Sequence, residues 1–483
     1  MRKVLSSILT VSLLVGILPA TACDKTENVD TRYEITAEYA PENKTLAGTV
    51  KVTFENDTAE ALSVLKFQLY PNAYRKDALY KPVSTAYATS AYYAGESYGE
   101  MTISSVHGSK NWEVMGEDEN ILYVYLERDL YPGDKVVLDI GFLTKLANVE
   151  HRTGLTDKTV NLGNFYPILC PFENGGFVEN VYYSDGDPFL SECAEYKVSL
   201  TVPKEYEVAA TGDLTGERTL ESKKVHTMYA TNVRDFACVL YKNARILSEK
   251  VGDTTLSYYY YADETPKDTL SVAAESFAYY EERFGNYPYS TYTLAETALC
   301  FGGQEYPRLS MLSAHLKKEE KARAVAHEVA HQWWYGVVGS DQVQNAWQDE
   351  GLAEYAALCF FEKYEKYGYT REGLVTAALR EYRSYYDVYG SVLGRTDTRM
   401  TRHLREYLSE YEYKCLSVDK AVVMLDTLRK SIGDKKFFHA LEKYYGACAY
   451  KVASVGDLVG CFERAGVDVA GFFESFLSGQ AVL

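Results

Sequence analysis

His327-Glu328-Val329-Ala330-His331 lies within residues 319–334, a run of good helix formers without Gly or Pro. Two His four positions apart share one helix face a turn apart, so two imidazole nitrogens can meet one metal ion about 2.0–2.1 Å from each. Glu328 stands beside them. Random placement of eight His and 68 acids in 483 positions gives roughly 0.02 such patterns. After His331, with eighteen residues between it and Glu350, comes Trp347-Gln348-Asp349-Glu350-Gly351-Leu352-Ala353-Glu354-Tyr355, which opens a second helix with a carboxylate in its first turn. If that helix packs across the first, Glu350 completes a two-His, one-carboxylate set with an open fourth position, the arrangement of a catalytic zinc. Otherwise it is a helix-start acid stabilised by the dipole. Glu354, one turn on, reads either as a hydrogen-bond partner to a ligating His or as part of a solvated face.

Working outward, the chain changes character near residue 245. Beyond Pro266 the period is helical: Leu270, Ala273, Phe277, Tyr280 and Phe284 follow i, i+3, i+4 spacing, and Gly285 is placed to end the helix. Residues 422–430 and 434–445 continue the helical pattern. Toward the N-terminus, short alternating or β-branched runs recur at 48–55, 62–69, 121–126, 135–142, 196–202, 225–230, 236–241 and 256–261, with breakers such as Pro132-Gly133-Asp134 between them. The expected fold is multidomain: an antiparallel β-sandwich or saddle over residues 31–245, then a mostly helical domain over 246–483.

Length and charge bound the function. At about 150 residues per domain, 483 residues suggest some three units, and 47% apolar residues excludes global disorder. A net charge of −18 argues against a nucleic-acid surface, which needs clustered Lys and Arg. Forty-four Tyr, including the run Tyr258 to Tyr261, are expected to line half-buried strands rather than to form a ligand platform.

The first residues read as an address. Arg2 and Lys3 precede an apolar run over residues 4–18, then Pro19-Ala20-Thr21-Ala22-Cys23, a signal-peptide pattern too short to span a bilayer comfortably. Small residues leading into a cysteine resemble a bacterial lipoprotein signal, which implies that Cys23 carries lipid. An ordinary secretory peptide is the alternative. Residues 24–30 form a polar tether, and the expected location is outside the cytoplasm, on the outer face of a bacterial membrane. The other eight cysteines are scattered singly, so a cysteine zinc knot is not expected. Export permits disulfides, with Cys170–Cys193 one option and free buried thiols the other.

The His-Glu-x-x-His pattern, eighteen residues and then Glu350-Gly351 resemble the zinc aminopeptidases related to aminopeptidase N, gluzincins with a thermolysin-like catalytic domain. A second match, Phe301-Gly302-Gly303-Gln304-Glu305-Tyr306-Pro307, stands at the family's G-x-M-E-N motif, with Glu305 placed 22 residues before His327. Pro71-Asn72-Ala73-Tyr74-Arg75 and Phe284-Gly285-Asn286-Tyr287-Pro288-Tyr289 also resemble the family, so the likeness covers most of residues 31–483. It implies one Zn2+ held by His327, His331 and Glu350, and Glu328 as base and then acid toward a metal-activated water. Glu305 would take the substrate's free α-amine, with Gln304 in the amine pocket and Gly302 and Gly303 beside the peptide, where a missing Cβ lets backbone approach. The expected partner is a peptide with a free N-terminus.

Three departures accompany the resemblance. Gln304 and Tyr306 replace the usual Met and Asn. Val418, in Val418-Asp419-Lys420-Ala421, stands where the family has a tyrosine that donates a hydrogen bond to the tetrahedral intermediate; losing such a donor costs about 10² to 10³ in rate. Tyr413 could approach from the same segment or could simply be packed. Larger relatives carry a C-terminal helical domain over the site, whereas this chain runs 133 residues past Glu350, so a more open cleft is expected. The alternatives are an endopeptidase of the same fold, or a surface peptide-binding homologue with weak turnover.

Overall fold

The structure is a computed structural model and describes residues 31–483; the leader, Cys23 and the tether lie outside the described residues. The strand Thr31–Ala40 alternates buried and exposed along its length, placing Tyr33, Ile35, Ala37 and Tyr39 on the core face. It sits near the middle of a seven-stranded sheet, flanked by Thr45–Glu55 and by Ala194–Pro203. Pairing with Ala194–Pro203 is parallel, with Arg32 opposite Glu195, so this sheet is mixed rather than wholly antiparallel. That pairing unites strands more than 150 residues apart, which no local pattern reveals. Two four-stranded sheets and a two-stranded ribbon, Phe172–Glu173 with Gly176–Phe177, complete the β half. One of them joins Tyr206–Ala210, Cys238–Lys242, Thr159–Leu162 and Thr153–Leu155, and it docks on the second half of the chain. Asn161 Nδ2 donates to the Ala298 carbonyl at 3.1 Å, and Thr211 Oγ1 donates to that of Pro307 at 3.0 Å.

The second half opens not with a helix but with a five-stranded sheet. Its strands are β1 (Arg245–Val251), β2 (Thr254–Tyr260), β3 (Thr291–Thr297), β4 (Gly303–Tyr306) and β5 (Leu309–Ser313), in the order β1-β2-β3-β5-β4. β3 runs parallel to both neighbours, while the edge strand β4 is antiparallel to β5. Tyr258 and Tyr260 are buried on one face of β2, stacked at 5.3 Å, in keeping with tyrosines as strand filler.

Helices cover this sheet. α1 (Pro266–Phe284) starts on its proline and ends at Gly285, whose φ of 136° favours glycine. α2 (Lys318–Ala330) carries His327 and Glu328 and has His331 as its C-cap, and α3 (Ala346–Lys363) packs across it. α4 (Arg371–Leu393), α5 (Glu410–Lys414), α6 (Lys420–Ile432), α7 (Asp434–Cys448), α8 (Val455–Arg464) and α9 (Ala470–Leu477) follow. Between α5 and α6 the chain makes a wide turn over Cys415–Asp419, in which the Lys420 N–H donates to the Cys415 carbonyl five residues back. Gly351 lets α3 approach the start of α6: a Cβ there would lie 2.4 Å from Ala421 Cβ.

All eight described cysteines are free thiols. The Cys170–Cys193 option is therefore corrected: burial pushes both thiols up, leaving them as packed apolar groups.

Candidate metal centre

α2 and α3 bring the two halves of the motif together. His327 Nε2 and His331 Nε2 face one another at 3.0 Å, and His327 Nε2 lies 3.3 Å from Glu350 Oε2. All three donor atoms fall within 4.8 Å of one another. Ligands about 2.0–2.1 Å from a tetrahedral ion stand roughly 3.3 Å apart, so two imidazoles and a carboxylate at these spacings fit a zinc ion with a face left open.

Each imidazole is aimed from behind. His327 Nδ1 pairs with Glu354 Oε2 at 2.9 Å, and Glu354 Oε1 accepts from Arg323 Nε at 2.8 Å. Glu354 is thus the His partner, and the solvated-face reading is corrected. His331 Nδ1 pairs with Asp349 Oδ1 at 2.8 Å and lies 3.1 Å from the Trp334 carbonyl. A carboxylate at Nδ1 leaves the Nε2 lone pair for a metal. The same contacts favour the charged form of each ring. Burial opposes charge on His327, but its bonds to Glu350 and Glu354 outweigh this and raise it to about 9. Burial likewise opposes charge on His331, and Asp349 and Glu305 carry it well above the usual range.

Glu328 is buried beside the His pair, and burial raises its carboxyl to about 7, a value suited to taking and returning a proton at neutral pH. Its Oε2 is buried without a hydrogen-bond partner among the described residues, as expected of an oxygen that awaits a water. Gly303 is the reason it fits. A Cβ on that residue would lie 2.1 Å from Glu328 Oε1. The glycine thus makes room for the acid, not only for substrate backbone as the sequence suggests; at Gly302 the space is open.

Glu305, on β4, is 4% exposed and faces the same cavity, about 530 Å³ in volume, as Glu328, Glu350, His327 and His331. Gln304 Nε2 donates to its Oε2 at 2.8 Å and Gln342 Nε2 to its Oε1 at 3.1 Å. Gln304 is in turn held by Arg152 and Asp187, which are paired at 2.7 Å and come from the β half. Burial, then Asp187, lift the Glu305 carboxyl well above the usual range.

Tyr413 also lines the cavity. Its ring packs on Tyr407 at 5.5 Å, and a Cβ on Gly186 would come within 2.7 Å of it. The phenol makes no hydrogen bond among the described residues. The wide turn over Cys415–Asp419 brings Val418, five residues on, to the same cavity. Asp349, Gln342, Arg152 and Asp187 escape the sequence reading. Only Asp349, adjacent to Glu350 in the first turn of α3, offers a signal, since a second acid there has two ring nitrogens to serve.

Residues 269–476 match the model of the peptidase family M1 domain. Aminopeptidase N of Haemonchus contortus is 28% identical over 166 residues, covering 33% of this chain and 16% of the relative. Aminopeptidase M1-B of Oryza sativa subsp. japonica is 27% identical over 247 residues, covering 49% and 26%. These matches span only 16% and 26% of the two curated relatives' own lengths. Among solved structures, the M1 zinc metallopeptidase from Deinococcus radiodurans superposes with a TM-score of 0.65 at 20% identity, covering 94% of this chain and 95% of that one. A mutant of it bound to a Tyr-Ser-Ala substrate gives 0.62 at 18% identity, with the same coverage. Residues 269–476 thus resemble the peptidase family M1 domain, and the chain shares the fold of a solved M1 zinc metallopeptidase.

Proposed function

We propose that the chain is a zinc aminopeptidase that removes N-terminal residues from peptides. The observation that carries the reading is the convergence of His327 Nε2, His331 Nε2 and Glu350 Oε2 beside the unpartnered Glu328 oxygen, with Glu305 in the same cavity. His327, His331 and Glu350 would hold the ion. When bound, zinc lowers the pKa of a water and polarises a carbonyl. Glu328 accepts the water's proton and delivers it to the leaving amine, Gly303 giving its carboxylate room to lie there. Glu305 binds the substrate ammonium, so that only the first peptide bond is set in register. Tyr413 supplies a phenol in place of the one missing at Val418, donating to the developing oxyanion.

The test is hydrolysis of aminoacyl anilides by the metal-loaded protein. Glu328→Gln is expected to lower kcat by about 10² to 10⁴; unchanged turnover removes the catalytic reading. Free-amine substrates should be strongly preferred over N-acetylated ones, and equal rates would indicate an endopeptidase. Val418, a cavity residue without a hydroxyl, favours one further reading: a peptide-binding homologue with weak turnover. Tight binding of free-amine peptides with no multiple turnover would establish it.

The leader supports export and lipid attachment at Cys23, with the peptidase on the outer face of the membrane. No helix among the described residues is long and apolar enough to cross a membrane. Detergent-phase partitioning lost on Cys23→Ser tests the anchor.

A further inference from the structure

A single line of side-chain hydrogen bonds joins the amine-facing acid to the metal-facing imidazole, and Gln342 is its middle. Gln342 Nε2 donates to Glu305 Oε1 at 3.1 Å and also to Asp349 Oδ2. Asp349 Oδ1 pairs with His331 Nδ1 at 2.8 Å. At the far end, Glu305 Oε2 is held by Gln304 at 2.8 Å. The loop that carries Gln342 is stiffened by Asp341, whose Oδ1 accepts the N–H groups of Val343 and Gln344 at 3.0 and 3.1 Å.

Three features say that this side chain is more than filler. Gln342 is 1% exposed and does not line the cavity, so it touches neither substrate nor solvent. Its carbonyl oxygen is buried without a partner among the described residues, an unfavourable state that an apolar side chain of the same length would avoid. Its two N–H groups are divided between two buried carboxylates, which repel one another strongly where water is excluded. A neutral amide donor shared between them fixes their separation, and with it the distance from amine anchor to metal.

We infer that Gln342 is a positioning residue that couples capture of the substrate ammonium at Glu305 to retention of the metal at His331, through Asp349. The inference rests on the aminopeptidase reading and adds to it the device that keeps the two subsites in register. Filler and coupling make opposite predictions for Gln342→Met, which keeps the length and removes the donors. As filler, Gln342 could be replaced with the thermal midpoint held or raised and nothing else changed. As a coupler, its replacement moves two distant readouts together. Zinc should be lost to a competing chelator at about tenfold lower chelator concentration, the usual scale for an outer partner of a ligand. The preference in kcat/KM for a free-amine over an N-acetylated anilide should fall by about tenfold, mainly through KM for the free-amine substrate.

Gln342→Met that retains zinc and the native free-amine preference overturns the coupling. Should that variant not fold, Asp349→Asn serves: Asp349 is outside the cavity lining, yet coupling requires its loss to lower the free-amine preference, and an unchanged preference overturns the inference. Native protein that shows no free-amine preference, or that is unaffected by Glu328→Gln, sinks the aminopeptidase reading and the coupling with it. Native preference that survives Gln342→Met sinks the coupling alone.

Discussion

His327 and His331 present the same ring nitrogen to the same point, yet they are backed by opposite kinds of neighbourhood. Behind His327 stands Glu354, and behind Glu354 stands Arg323, whose side chain is 41% exposed. Burial works to raise Glu354, but the Arg323 charge and the His327 bond outweigh it and hold the carboxyl at about 2. Behind His331 stands Asp349, then Gln342, then Glu305, all buried and without a nearby cation of their own; Arg152 sits one step further off, paired with Asp187. One support is a charge relay balanced by arginine at the rim. The other is an inner wall of carboxylates separated by neutral amides. The inner wall gains more from a divalent cation, because no arginine stands directly behind Asp349 to share the balance of its negative charge.

The contrast can be broken at several points. Gly303→Ala belongs to the inner wall and should have the largest effect, since the added Cβ occupies the space of the Glu328 carboxylate. Turnover is expected to fall by about 10² to 10⁴ with zinc content intact, read by metal analysis beside kcat. Activity near native would mean that Glu328 works from another position. Next, Asp349→Asn should weaken zinc binding by about 10–100-fold in chelator competition, and Glu354→Gln by about tenfold or less. The reverse order would show that the rim, not the inner wall, governs the ion.

Acid should act through both rings. Contact with the neighbouring carboxylates raises His327 to about 9, and His331 is raised as well. Zinc must displace the ring protons, so affinity should climb with pH by about tenfold per unit, for one proton, until about pH 9. Calorimetry in buffers of different ionisation enthalpy should find at least one proton released at pH 7; none released would mean that the contacts seen here do not protonate the rings. The smallest effect is expected for Arg323→Ala, within about threefold in kcat/KM, because a half-exposed ion pair is screened by solvent. A loss as large as that of Asp349→Asn would erase the distinction between the two supports.

Much of the site is legible along the chain because it is periodic. His327 and His331 lie one helical turn apart, and Glu350 and Glu354 lie one turn apart on the next helix, so each pair shares a face whatever the rest of the molecule does. Glu305 is legible through its distance from His327 and its glycine neighbours. Gln342, Arg152 and Asp187 are not, because each acts across a gap that only packing closes: Arg152 meets Gln304 from a different half of the chain, 152 residues away. The role of Gly303 was half visible. A close approach could be inferred from the residue type, but not that the approaching group is Glu328. The β half shows the same division. Alternation located its strands, while the parallel register of Thr31–Ala40 with Ala194–Pro203 depends on which edges meet.

What the amino-acid order determined by itself was the set of donors and their local geometry, since helical pitch dictates which side chains share a face. The tertiary structure decided what stands behind each donor: a cation-backed carboxylate on one ring, an amide-bridged run of acids on the other. The physical reason is range. Pitch operates over four residues, whereas the charge balance of a buried site is a sum over every group that folding brings within a few ångströms, and those groups arrive from both halves of the chain.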